Sequence, residues 1–320
     1  MKTADAIGAN ADELHALVEK FFAATFTTDN PIVTEAIKRM LAAGGKRLRP
    51  RITLLAAQAC GGRALEHLHL AAYMELIHVA TLIHDDVVDN AATRRGVNAT
   101  AVDYGNRVSV LAGDYLFAWI FKNVTFNYPA PIPNLLSATL ADICDGEVLQ
   151  LAALRNLDLP LAAYVEIARK KTASLFAVSA QCGAIMGGGQ SHEVTALHRF
   201  GEAFGVAFQM KDDLLDMTAD ERSLGKPAAN DLGERKTTLP LIAALAAGNG
   251  GFRAQVRHFY DADENDAIPA IVDGIEREGG LAATRAQIDR FADQAKAALE
   301  PIAQGAAKRE LIKLTEALQS

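Results

Sequence analysis

The stretch Leu82-Ile83-His84-Asp85-Asp86-Val87-Val88-Asp89 places three carboxylates within five residues at the end of a long apolar pattern. On a helix of 3.6 residues per turn, Asp85 and Asp89 fall one turn apart on one face. Like charges at that spacing repel, so a helix built only for packing would avoid them. A divalent cation reverses the argument: hard cations such as Mg²⁺ take oxygen ligands and bridge carboxylates to phosphates. A solvated acidic helix end is the competing reading, and a single DDxxD does not decide between the two.

The pattern occurs a second time, as Asp212-Asp213-Leu214-Leu215-Asp216. Both copies end apolar segments and both are followed by basic residues: Arg94 and Arg95 after the first, Arg222 and Lys226 after the second. Two such clusters predict two walls of one metal-filled cleft closed over an anion.

Working outward, half of the 320 residues are hydrophobic. Ala and Leu dominate and strand-favouring runs are short, which predicts an all-α chain. No linker or composition shift divides it, so residues 1–320 read as a single helical domain. A net charge of −7 argues against nucleic acid as the main partner. Cys60, Cys144 and Cys182 are far apart, odd in number and without a CxxC; they read as small buried hydrophobes in a reducing cytoplasm. Residues 1–10 show no basic-then-apolar leader. The uncharged stretch 172–191 is broken by polar residues and three glycines, which predicts a core helix rather than a membrane span.

Helical stripes are predicted over 10–26, with Leu14, Leu17, Val18, Phe21 and Phe22 apolar, and from Pro31 to about Ala43 behind an Asn30 N-cap. Gly44-Gly45-Lys46-Arg47-Leu48-Arg49-Pro50-Arg51 follows, a basic turn suited to phosphate. Lys46 and Arg49 would lie one turn apart if the next helix starts there. A short helix over 51–61 and a long one over 64–92 come next; in the latter His78 lies two turns before Asp85, on the same side. Further helices are predicted over 108–125, 134–154, Pro160 to 186, and 192–217. Arg169-Lys170-Lys171-Thr172 lies in the third of these, and Gln209 in the fourth, three residues before Asp212. The polar segment 218–235 reads as a lid, with Lys226 in it and Lys236 at its end. Another helix starts at Thr237-Thr238-Leu239-Pro240, and Gly279-Gly280 breaks the C-terminal helices.

Assembled, the chain resembles the trans-isoprenyl diphosphate synthases over nearly its whole length. The segments that carry the likeness are GGKRLRP at 44–50, LIHDDVVD at 82–89, RRG at 94–96, GDYLF at 113–117, GEVLQL at 146–151, KTA at 171–173, FQMKDDLLD at 208–216, LGKP at 224–227 and KTTLP at 236–240. The overall pattern looks most like the long-chain, octaprenyl-type members. The resemblance implies a helical bundle around a deep central cavity, in a homodimer. It implies head-to-tail condensation of isopentenyl diphosphate onto an allylic diphosphate. Asp85, Asp89 and Asp212 would hold Mg²⁺, three ions in all, with Asp86, Asp213 and Asp216 supporting them. Arg94, Lys171, Lys226 and Lys236 would contact the allylic diphosphate, and Lys46, Arg49, His78 and Arg95 the isopentenyl diphosphate. Thr172 and Gln209 would face the reacting carbons. Product length would follow from Ala80 and Thr81, both small, with Ile77 and Met74 one and two turns further from Asp85, and a floor near Val124 and Leu140. The pattern departs from the family at Ala229 and Arg235, where glycine is usual; if those positions need positive φ, the replacements cost free energy.

A short-chain farnesyl or geranylgeranyl diphosphate synthase is the nearest alternative. A class I terpene cyclase would show a different second metal motif and no use for Lys46 and Arg49. A regulatory subunit would lack the acidic motifs.

Overall fold

The computed structural model describes residues 11–26, 28–94, 96–218, 229–248, 250–262 and 265–319, with the side chains of all but 11–15 and 64. Arg95, Lys226, the side chain of Leu14, residues 1–10 and most of the expected lid lie outside the described residues.

The described chain is helical apart from a two-stranded hairpin, Thr93–Arg94 (β1) antiparallel to Val97–Asn98 (β2). The helices in order are α1 (Ala11–Thr25), α2 (Pro31–Ala42), α3 (Leu48–Ala59), α4 (Leu68–Val88), α5 (Thr100–Tyr104), α6 (Asn106–Asn127), α7 (Ile132–Ala152), α8 (Leu161–Ala168), α9 (Ser174–Met186) and α10 (Ser191–Thr218). Later helices are 230–233, 239–247, 250–262, 268–277, 280–298 and 306–319. By its contacts the chain divides into two compact units. The first comprises Met1–Ala138, Leu175–Gly201 and Ala298–Ile312, and the second Thr139–Ser174, Glu202–Ala297 and Lys313–Ser320.

The first unit is centred on α4. Buried positions follow one another almost without a break from Leu70 to Ala80, so this helix is covered on every side rather than along one stripe. It packs most extensively against α6 and α3. Gly113 explains the close approach of α6: a Cβ there would meet His84 Nε2 at 2.2 Å. The α2 N-terminus forms as its sequence dictates, with Asn30 Oδ1 accepting from the Ile32 and Val33 amides at 3.0 and 3.3 Å.

The second unit is built around Phe204, Met210, Phe252, Val256, Phe259, Ile271, Ile275 and Ile288, all buried. Its helices 239–247 and 268–277 pack together. The left-handed Gly279 (φ 80) separates helix 268–277 from helix 280–298, as the glycine pair predicts.

Three expectations differ in detail. The span 160–186 is not one α-helix: a π-helical turn at Arg169–Ala173 separates α8 from α9. Lys46 is not on the same helix as Arg49, because α3 begins at Leu48 after a left-handed Arg47 (φ 47). The left-handed residue reverses the chain there, so the two cations are not an i, i+3 pair. Among the cysteines only Cys182 is buried; Cys144 is exposed and Cys60 is half-buried, because Cys144 falls on the outer face of α7. Burial pushes the Cys182 thiol up to about 12.

Candidate active site

The first acidic cluster sits at the C-terminus of α4. Asn90 takes the left-handed conformation (φ 50), and the Ala91 amide donates back to the Asp86 carbonyl at 2.9 Å. This Schellman arrangement stops the helix directly after Asp89 and fixes the direction of the last turn. Asp85 and Asp89 are partly open to solvent, whereas Asp86 is fully buried. Arg94 on β1 reaches back to Asp86, with Nε at 2.7 Å and Nη2 at 2.5 Å from Oδ1. Asp86 therefore anchors an arginine under the surface, while Asp85 and Asp89 reach solvent.

The basic turn before α3 has a buried pivot. Arg47 is 2 % exposed, and its Nη1 lies 2.6 Å from Glu75 Oε1 on α4 while Nη2 donates to the Leu41 carbonyl at 2.7 Å. With Arg47 turned inward, Lys46 is left exposed. Arg49 is buried, its guanidinium carbon 4.4 Å from the centre of the Phe176 ring. His78, one turn beyond Glu75, is half-buried, and its carbonyl accepts the Thr81 hydroxyl at 2.8 Å. Met74, Ile77 and Ala80 are fully buried along α4, and Val124 is buried on α6. Leu140 on α7 is half-buried.

The second cluster, near the C-terminus of α10, divides in the same way. Asp212 is exposed, while Asp213 and Asp216 are buried. Asp213 accepts from the Tyr164 hydroxyl at 2.6 Å and from Gln209 Nε2 at 2.8 Å. Gln209 Oε1 accepts the Thr172 hydroxyl at 2.7 Å, so Thr172, Gln209, Asp213 and Tyr164 form one chain of hydrogen bonds. Burial, opposed by these two donors, pushes the Asp213 carboxyl up to about 6, with Asp212 and Asp216 adding to the rise. The Tyr164 hydroxyl is pushed well above its usual value by burial and by Asp213. Asp216 Oδ2 accepts the Asp231 amide at 3.0 Å, and its carbonyl accepts the Ala229 amide at 2.7 Å.

The GEVLQ segment finds its reason at Lys171. Gly146 lets α7 lie against the π turn, since a Cβ would meet the Lys171 amide nitrogen at 2.5 Å. Glu147 forms an ion pair with Lys171 Nζ, and Gln150 Oε1 accepts from it at 2.6 Å. The π turn itself carries Lys171 and Thr172, a local widening of the helix of the kind often found at functional sites. Lys171, Thr172, Gln209, Asp213, Tyr164 and Lys236 line one recess in the second unit. Lys236 Nζ is 2.5 Å from Glu234 Oε2.

Tyr164, Glu75 and the pairing of Arg47 escape sequence reasoning. A tyrosine in an apolar helix and a glutamate between Met74 and Leu76 carry no local signal; only the folded partner gives them meaning. Gly146 and Gln150 had a signal, their place in GEVLQL, but no partner until the π turn is seen.

Could these residues hold Mg²⁺? Among the described residues no three His, Cys, Asp or Glu side chains converge as a ready-made cage. The solvent-accessible acidic groups of the two clusters, Asp85, Asp89 and Asp212, are carboxylates alone. That donor set suits Mg²⁺, which is commonly held by one or two carboxylates together with substrate phosphates.

Comparison with known proteins places the chain. The Polyprenyl synthetase family pattern matches residues 30–274, and the chain belongs to that family. It is 36% identical over 274 residues to the octaprenyl diphosphate synthase of Escherichia coli, covering 85% of each chain. It is also 35% identical over 285 residues to a short chain isoprenyl diphosphate synthase of Methanothermobacter thermautotrophicus, covering 88% of each. Among solved structures, a decaprenyl diphosphate synthase from Rhodobacter capsulatus superposes with a TM-score of 0.90 at 36% identity, covering 97% of this chain and 98% of the other. The fold and the prenyltransferase family follow from these matches. No helix among the described residues is long and apolar enough to cross a membrane.

Proposed function

We propose that this chain is a Mg²⁺-dependent trans-polyprenyl diphosphate synthase that extends an allylic diphosphate with isopentenyl diphosphate to a long product, octaprenyl being the single best assignment. The observation that carries the reading is the shared division of both DDxxD clusters. Asp85, Asp89 and Asp212 reach solvent, while Asp86, Asp213 and Asp216 are buried. Residues 1–320 act as one catalytic domain in this reading.

Bound Mg²⁺, three ions by the family pattern, would supply positive charge to the departing diphosphate as the allylic C–O bond ionises. Lys171 and Lys236 add cationic charge to that leaving group, together with Arg94 and Lys226. The hydrogen-bond chain from Tyr164 through Asp213 and Gln209 orients the Thr172 hydroxyl and the Gln209 amide toward the reacting carbons. Lys46, Arg49, His78 and Arg95 hold the diphosphate of isopentenyl diphosphate so that its double bond meets the allylic carbon. The departing diphosphate takes the proton then lost. Small side chains at Ala80 and Thr81, and Ile77 and Met74 beyond them, leave the product room to lengthen.

The long product is supported by the names of relatives at similar identity, which include heptaprenyl component 2 of Geobacillus stearothermophilus and a nonaprenyl enzyme of Rhodobacter capsulatus. A homodimer in the cytoplasm completes the reading. It is supported by apolar side chains standing out from α6, with Leu111 63% and Phe126 88% exposed.

The test is incubation with labelled isopentenyl diphosphate, an allylic primer and Mg²⁺, followed by separation of the dephosphorylated products. A long polyprenol is expected, with activity abolished by EDTA. Asp85→Ala or Asp212→Ala should lower kcat by orders of magnitude with the helical content intact. Failure to consume isopentenyl diphosphate refutes the synthase reading. A product that stops at farnesyl or geranylgeranyl refutes the long-chain assignment alone.

A further inference from the structure

Arg235 stands where the family pattern has glycine, and its backbone is left-handed (φ 60). Glycine adopts that conformation freely; a residue with a Cβ does so only when its surroundings impose it. Here the imposing element is its own side chain. The residue is 4% exposed, and Nη1 lies 3.0 Å from the Leu232 carbonyl, 2.9 Å from the Gly233 carbonyl and 2.8 Å from Asn265 Oδ1. The guanidinium carbon sits 4.2 Å from the centre of the Phe259 ring. One buried cation thus ties the short helix 230–233 to helix 250–262 and to the segment after it.

The backbone on either side is held by the same partners. The Arg235 carbonyl accepts the Arg155 amide at 3.0 Å, and Arg155 donates in turn to the Tyr260 carbonyl. The Lys236 amide donates to the Asp231 carbonyl at 2.8 Å, and the Lys236 carbonyl accepts the Tyr260 hydroxyl at 3.2 Å. Asp231 itself binds Asp216 through its amide. Residues 231–237 are therefore fastened to the second acidic cluster at one end and to helix 250–262 at the other. The residue delivered by this arrangement is Lys236, which lines the recess with Lys171 and Asp213.

We propose that Arg235 is a positioning residue whose buried guanidinium clamps the left-handed turn and holds Lys236 in the recess, and so sets the affinity of the site for the allylic diphosphate. The inference rests on the reading of Lys236 as a contact to that diphosphate. A glycine would permit the same turn but leave it free to leave it; the clamp exchanges that freedom for a fixed cation, and affinity gained this way comes from preorganisation. Lysine cannot replace the forked and stacked contacts.

The experiment is a double-mutant cycle on the full chain with Arg235→Gly, Lys236→Ala and the pair. Steady-state kinetics for both substrates are joined by calorimetric binding of Mg²⁺-pyrophosphate and by thermal unfolding. Arg235→Gly is expected to raise KM for the allylic diphosphate roughly tenfold. It should weaken pyrophosphate binding in parallel and leave KM for isopentenyl diphosphate unchanged. Lys236→Ala should do the same, and the double variant should be no worse than Lys236→Ala alone. If Arg235→Gly does not fold, Arg235→Lys serves in its place, with a smaller rise in the same constant. A rise after Lys236→Ala with no rise after Arg235→Gly or Arg235→Lys overturns the clamp and leaves the Lys236 reading standing, whatever the melting temperature does. Additive effects in the cycle overturn it as well. No rise after Lys236→Ala overturns the Lys236 reading, and the clamp with it.

Discussion

Replacing Glu75 by Gln removes the charge that faces the buried Arg47. The pair is 2.6 Å apart, with both side chains almost fully buried. At that distance, and an effective dielectric constant of about 20, the attraction is about 6 kcal/mol. Desolvation of the two ions cancels most of it, so the intact pair adds little net stability. Breaking it is different, because it strands a guanidinium in the core, a loss of about 3–5 kcal/mol. Two features favour the lower end: the Leu41 carbonyl keeps its bond to Nη2, and Glu19 Oε1 stands 3.8 Å away. A loss of about 3 kcal/mol lowers the melting temperature of a chain of this size by roughly 4–5 °C. The effect on activity should be selective. Arg47 is the left-handed pivot between Lys46 and Arg49, so KM for isopentenyl diphosphate should rise more than KM for the allylic primer. Thermal unfolding by circular dichroism and steady-state kinetics read the two effects. A melting temperature within about 2 °C of wild type would show that Arg47 is adequately held by its remaining partners, and the reasoning would fail.

Ala80→Phe places a ring five residues before Asp85, about 7.5 Å along the helix axis. It should shorten the product sharply at a stability cost of about 1–3 kcal/mol, because Ala80 is fully buried. Product chromatography decides, and an unchanged chain length would sink the role given to this level of α4. Asp213 should make the metal-free protein less stable as pH rises. Below about pH 4 its carboxyl is neutral both folded and unfolded; above that the unfolded chain ionises first, because the folded value is raised to about 6. Stability is therefore lost between about pH 4 and pH 6, by an amount on the order of 3 kcal/mol. Asp213→Asn should flatten that part of the profile in EDTA, and denaturation curves that remain parallel to wild type across the window would count against it.

Much of the fold could be read from the chain because its signals are local. Asn30-Pro31 announces a helix start through a single side chain, and Gly279 a helix end through a single dihedral. The two DDxxD clusters carry their spacing with them. What the spacing does not carry is depth. Asp85 and Asp86 are neighbours, yet one is open and the other lies under Arg94, a difference made by the hairpin that follows the helix. The same holds for Asp212 and Asp213, separated in exposure by Tyr164 and Gln209. The positive φ required at Ala229 and Arg235 follows the expectation drawn from the family's glycines, with values of 54° and 60°. The compensation at Arg235 was not legible, because Phe259 and Asn265 are distant in sequence. The π turn at 169–173 was hidden for another reason: its residues are good helix formers, and nothing in composition separates an i+5 turn from an i+4 one.

That turn makes the site sensitive to residue count as well as residue identity. A regular helix advances about 100° per residue, and the wider turn absorbs one residue without passing its rotation on. Tyr164 lies before it and Thr172 within it, and both join the same hydrogen-bond chain. Deleting one residue between 165 and 170 would give a regular helix with α9 still in register behind α8, but the widening that carries Lys171 and Thr172 would be gone. Substitutions here can be graded, whereas insertions and deletions cannot. Among related chains the number of residues between this tyrosine and the KT pair should accordingly vary less than their identity.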